Sequence, residues 1–144
     1  MTIQAINPTT GETINTYEEM APAKVAQSIV QAHDAFLSWR QTSMAERAQR
    51  MHQAAKLLRE QAPAYATLMA QEMGKPVKDG RAEAEKCAWV CDFYAEQAAQ
   101  FLRPEVVETE ASRSFVTFQP LGVVLAVMPG TFRSGRSFAL PHRP

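Results

Sequence analysis

Val123, Val124, Leu125, Ala126, Val127 and Met128 follow one another without a polar side chain between them. A strand that lacks polar alternation is usually buried on both faces, as in a parallel sheet covered by helices. Such a strand needs neighbouring strands, and no strand pattern follows this one in residues 129–144. The expectation is therefore an orphan strand whose partners come from sequence outside these residues. The text also changes character just after it. Residues 130–144 hold Arg133, Arg136 and Arg143 among the 15 Lys/Arg of the chain, and none of its 15 Asp/Glu. An acidic body thus ends in a short basic tail.

The other constraints are milder. A chain of 144 residues is enough for one ordinary domain. With 46% hydrophobic and 21% charged residues, it has the composition of a soluble globular protein. The formal net charge is zero, which gives the whole chain no electrostatic claim on nucleic acid or on a membrane surface. No apolar run approaches the ~20 residues that span a bilayer. The first twenty residues include Asn7, Pro8, Glu12, Glu18 and Glu19 and form no signal peptide. The expected compartment is the cytoplasm.

Along the chain, Ile6 to Glu12 reads as a turn between two short extended segments, with Gly11 free to take a positive φ. Ile14 and Tyr17 fit the second segment. A helix is expected from Pro22, suited to a first helical turn because its missing N–H is not needed there. Val25, Ile29, Ala32 and Phe36 form its stripe, expected to be buried, with Trp39 near the end. Ser43 and Glu46 make a capping box for a second helix with Ala48, Met51, Ala55 and Leu58 on one face. A third helix is expected from Pro63 and closed by Gly74 and Pro76. A fourth is expected from Lys78 to Leu102. Its stripe is Ala84, Cys87, Cys91, Tyr94, Ala98 and Leu102, widened by Trp89 and Phe93. Ser112–Gln119 alternates partly and reads as a strand with one wet face.

Cys87 and Cys91 are the only cysteines. Four residues apart on one helix face, they have the spacing to share a metal with two outside ligands. The histidines (His33, His52 and His142) supply no matching pair, so the pair reads instead as two reduced core thiols and no metal site is expected.

Four motifs, taken together in this order and spacing, resemble the start of the NAD(P)-dependent aldehyde dehydrogenase superfamily. They are I-N-P-T-T-G-E (Ile6–Glu12), W-R-Q-T-S-M-A-E-R (Trp39–Arg47), E-M-G-K-P (Glu72–Pro76) and P-L-G-V-V-L-A-V-M-P (Pro120–Pro129). The resemblance covers residues 1–129 and is most similar to bacterial succinate-semialdehyde dehydrogenases. It implies the α/β class: part of a cofactor-binding and oligomerisation region, mostly helical, with a few strands and an incomplete parallel sheet.

In that family the proline corresponding to Pro129 is followed by W-N-F-P, whose Asn amide stabilises the oxyanion formed when a cysteine thiolate attacks the aldehyde. Here Gly130-Thr131-Phe132-Arg133 stands instead. If one T is restored in front of the Gly130 codon, GGN-ACN-TTY-CGN can be read as TGG-AAC-TTT-CCG, which is W-N-F-P. The same frame continues as F-W-Q-V-F-R-F-A-A-P. Residues 130–144 are therefore expected to be an aberrant out-of-frame tail, disordered, left by the loss of one base. The alternative is a genuine divergent C-terminus.

The family reaction passes hydride from a thiohemiacetal to NAD or NADP and then hydrolyses the thioester, which takes a nucleophilic Cys, a Glu general base and the motif's Asn. The resemblance brings none of the three onto residues 1–144, so no catalytic residue is expected and no cofactor is expected to be held by the fragment. Met128 and Pro129 match backbone positions that line the cofactor site and are expected as its cofactor-binding remnant. Cys87 and Cys91, in mid-helix, do not stand in for the nucleophile. Arg47, Arg50 and Arg59 read as solvated helix-face charges, and His33 as a surface histidine. Gly74-Lys75-Pro76 reads as a helix end, because it lacks the glycine spacing of a phosphate loop.

Three functions remain open on sequence grounds. One is a truncated, inactive dehydrogenase piece, the product of a pseudogene. Another is a non-enzymatic module that docks onto an intact subunit or another partner through the exposed strand Ser112–Gln119, since full-length family members are homo-oligomers. The third is a complete enzyme hidden by a sequence error. A fragment with an orphan apolar strand is also expected to aggregate.

Overall fold

The computed structural model describes residues 2–127. Asn7 opens the chain's first turn by accepting from the Thr9 amide at 2.9 Å through its side-chain oxygen. Gly11, at φ 75°, completes that turn. The turn joins β1 (Thr2–Ile6) to β2 (Thr13–Glu18) in an antiparallel pair.

Four helices follow. α1 (Pro22–Trp39) begins at the expected proline. α2 (Met44–Glu60) begins after Ser43, whose hydroxyl accepts from the Glu46 amide at 3.2 Å. Glu46 itself pairs with Arg50 at 3.6 Å, one turn on. α3 (Ala62–Met73) ends at Gly74, whose φ of 68° lies in the left-handed region. The Gly74 amide donates to Ala70 O and the Lys75 amide to Met69 O, the paired bonds that close a helix at a glycine. α4 (Val77–Phe101) is the longest element. A second antiparallel pair, β3 (Glu105–Val107) with β4 (Ser114–Val116), completes the described residues.

The core lies where α4 packs against α2 and α3. Its fully covered residues are small. Ala55, Ala88 and Cys91 form the centre, with Met51, Ala54 and Leu58 laid over it. Ala62, Ala66, Ala84, Cys87 and Val90 are buried along the same seams. Small side chains let helix backbones approach closely, and Gly80 marks the closest point. A Cβ added there would sit 2.9 Å from Ala66 Cα.

Expected and observed packing differ in four places. No residue of α1 is buried, and Ile29 of its stripe is 62% exposed, because no helix or strand packs along that face among the described residues. The strand expected over Ser112–Gln119 is confined to Ser114–Val116, and its partner β3 was not anticipated. Trp89 and Phe93 do not widen the buried stripe of α4. They stack on each other at 5.5 Å between ring centroids on its exposed side, with the Lys86 ammonium 3.6 Å from the Trp89 centroid. The apolar run from Val123 forms no strand as far as Val127, and Leu125 is 88% exposed. The physical reason is the missing neighbours. All strand pairing among the described residues is antiparallel and local, and it offers no parallel edge to that run.

Met128, Pro129 and the tail 130–144 lie outside the described residues. No helix among the described residues is long and apolar enough to cross a membrane.

Candidate functional site

Four clusters gather the chemistry-bearing side chains. The first is the thiol pair. Cys87 and Cys91 form no disulfide, are fully covered, and stand one turn apart on α4, with Cys91 in the cluster that includes Ala55 of α2. Burial pushes the Cys91 thiol above its ordinary value, and its neighbours Cys87 and Asp92 push the same way, against the opposing pull of Arg59. A thiol held protonated and closed to solvent is neither a nucleophile nor a ready metal ligand. No group of three His, Cys, Asp or Glu among the described residues is placed to hold a metal ion.

The second cluster lies just outside the first. Asp92 accepts from Arg59 Nη2 at 2.5 Å through Oδ2, and its Oδ1 is 2.7 Å from His52 Nδ1. The hydrogen bond from His52, then that from Arg59, holds the Asp92 carboxyl below its ordinary value of 3.8. An aspartate that orients an imidazole is half of a familiar catalytic arrangement. Here the nearest thiol is buried, and the trio acts as a charge-assisted clamp between α2 and α4. Sequence reasoning missed it because the partners are 33 and 40 residues apart. The available signal was that His52 and Arg59, seven apart, flank the core stripe of α2 while Asp92 follows the buried Cys91.

The arginines of α2 divide into separate tasks. Arg47 wraps the end of α1: Nη2 donates to Trp39 O at 3.1 Å and Arg40 O at 3.2 Å, and Nε to Thr42 Oγ1 at 3.1 Å. Its guanidinium also lies 5.7 Å from the Trp39 ring centroid. Those donors satisfy carbonyls at a helix end, where α-helices leave acceptors without partners. Arg50 and Arg59 take the carboxylates named above. The three make no common anion site. Lys75 forms an ion pair with Glu83 across the α3–α4 turn, with side chains only 10% and 16% exposed. That pairing agrees with a structural helix end at Gly74-Lys75-Pro76.

The last cluster is a groove of about 450 Å³ between α1 and the segment after β4. Ile29, Val30, His33 and Phe36 form one wall, and Leu121, Gly122 and Val123 the other. His33 is exposed, as expected, and its ring stands 6.1 Å from Phe36. The lining is apolar except for His33 and contains no Lys or Arg to meet a phosphate. A broader hollow, lined by Val77, Lys78, Arg81, Ala82 and Glu85, follows a single exposed face of α4 and encloses nothing. The cofactor-binding remnant expected at Met128 and Pro129 lies outside the described residues.

Comparison with known proteins supplies what this geometry does not. The profile of the aldehyde dehydrogenase family matches residues 1–132. A probable succinate-semialdehyde dehydrogenase [NADP(+)] of Synechocystis sp. is 44% identical over 132 residues, covering 92% of this chain and 29% of that protein. The succinate-semialdehyde dehydrogenase [NADP(+)] of Mycobacterium avium is 43% identical over 136 residues, with the same two coverages. Among solved structures, succinic semialdehyde dehydrogenase from Streptococcus pyogenes, in complex with NADP+, superposes with a TM-score of 0.74 at 31% identity. That match covers 79% of this chain and 25% of the other. The chain thus spans less than a third of the length of the relatives it matches.

Proposed function

The chain belongs to the aldehyde dehydrogenase family, and from that premise we propose that residues 1–129 are the N-terminal portion of a dehydrogenase oxidising succinate semialdehyde to its carboxylic acid. NADP+ is the hydride acceptor in this reading, and the whole enzyme is a cytoplasmic homo-oligomer. The observation that carries it is the 44% identity to the Synechocystis protein, sustained over 132 residues. The names of the two relatives given above agree in aldehyde and cofactor.

The reading has a negative half. The family chemistry calls for an accessible thiolate, a carboxylate base and an oxyanion donor. Cys87 and Cys91 are both buried, and burial holds the Cys91 thiol protonated. Residues 1–144 alone therefore oxidise no aldehyde and hold no dinucleotide. Gly130 onward is read as the out-of-frame remainder of a disabled gene, because a single restored base recovers W-N-F-P at the required place.

Sequencing the gene from codon 125 onward in all three frames tests this directly. The expected result is a long shifted frame opening W-N-F-P just after codon 129. Its absence would make residues 130–144 a genuine end and sink the frame-loss reading. Incubating the purified 144-residue chain with succinate semialdehyde and NADP+ tests the other half. No NADPH absorbance is expected to develop, and any steady rise overturns the inactivity.

A second reading is favoured by one specific observation. The outer face of α1 and the run Leu121–Val127 are exposed and apolar together. In that reading the fragment is not an enzyme and docks onto an intact dehydrogenase subunit. Co-elution with a full-length homologue as a discrete species supports it, and aggregation unchanged by the homologue rejects it.

A further inference from the structure

We draw no further inference here: the strongest candidate, the open groove of about 450 Å³ between the apolar face of α1 (Ile29, Val30, His33 and Phe36) and Leu121–Val123, belongs to the docking surface already described, and nothing in the structure shows what else covers it.

Discussion

Helix α4 packs against both α2 and α3, whereas α1, with an equally regular apolar stripe, has no buried residue. The side chains along the two stripes explain part of this. α4 offers Gly80, Ala84, Cys87, Ala88 and Cys91, small groups that let neighbouring helices approach until backbones nearly touch. α1 offers Val25, Ile29 and Phe36, bulky groups that need a broad opposing surface to cover them. Amphipathic spacing specifies which face of a helix is to be covered. It does not say what covers it. The small-residue stripe finds its partners within these residues, while the bulky stripe lines an open groove opposite Leu121–Val123.

The comparison is sharpest at Ala88, which is fully buried at the centre of the α2–α4 seam. Ala88→Asp puts an unpaired carboxylate there and is expected to cost at least about 3 kcal/mol, enough to abolish cooperative unfolding of the helical unit in urea. An unchanged urea midpoint would mean that the seam does not hold the fold. Gly80→Leu comes next. Its side chain has to displace Ala66, and overpacking of this kind costs about 1–3 kcal/mol, read as a lower midpoint at constant slope.

Ser43→Ala removes the hydroxyl that accepts from the Glu46 amide, for an expected loss of about 1 kcal/mol in the same measurement. The Asp92 clamp is a smaller effect and depends on pH. Because the folded carboxyl titrates below its ordinary 3.8, its stabilisation is present above that value and is lost as pH falls through the depressed one. Midpoints measured from neutral to strongly acidic pH should show a drop at the acid end for the parent chain. Asp92→Asn should flatten that drop. An unaltered acid limb in the variant would remove the clamp from the account.

The smallest effect is expected on the other side of the comparison. Ile29→Ser, on the open face of α1, should move the midpoint by less than about 0.5 kcal/mol while reducing light scattering by the concentrated protein. A loss as large as that of Gly80→Leu would show that the α1 face is packed in solution and would end the contrast.

Much of this architecture was legible from local chemistry. Pro22 at a helix start, Ser43 before one and Gly74 after one each act within a few residues, so their sequence signals survive into the structure unchanged. The family was legible from four short motifs, three of which mark a turn or a helix end. Features that depend on a distant partner were not. Trp89 and Phe93, by contrast, stack outside the core stripe. They stand nearly opposite Cys87 and Cys91 around the helix, so here the helical period itself carried the placement, and adding them to the stripe ignores it. The three-residue strands β3 and β4 are too short to show alternation. The run from Val123 was read as a doubly buried strand, but burial comes from neighbours, and the described residues supply none. The Asp92 trio joins two helices that sequence alone leaves unrelated.

The meeting of Gly80 with Ala66 also bears on how this gene tolerates copying errors. Every glycine codon is GGN, and a single base change that alters the residue yields Ala, Val, Ser, Cys, Arg, Asp, Glu or Trp, or a stop. The least of these adds a methyl, and that methyl would fall 2.9 Å from a backbone carbon of α3. Helix propensity alone favours alanine here by about 1 kcal/mol, so the seam sets itself against a change that would otherwise be welcome. Codon 80 has no harmless missense neighbour, whereas the codons along the outer face of α1 can drift widely before the helical unit registers the change.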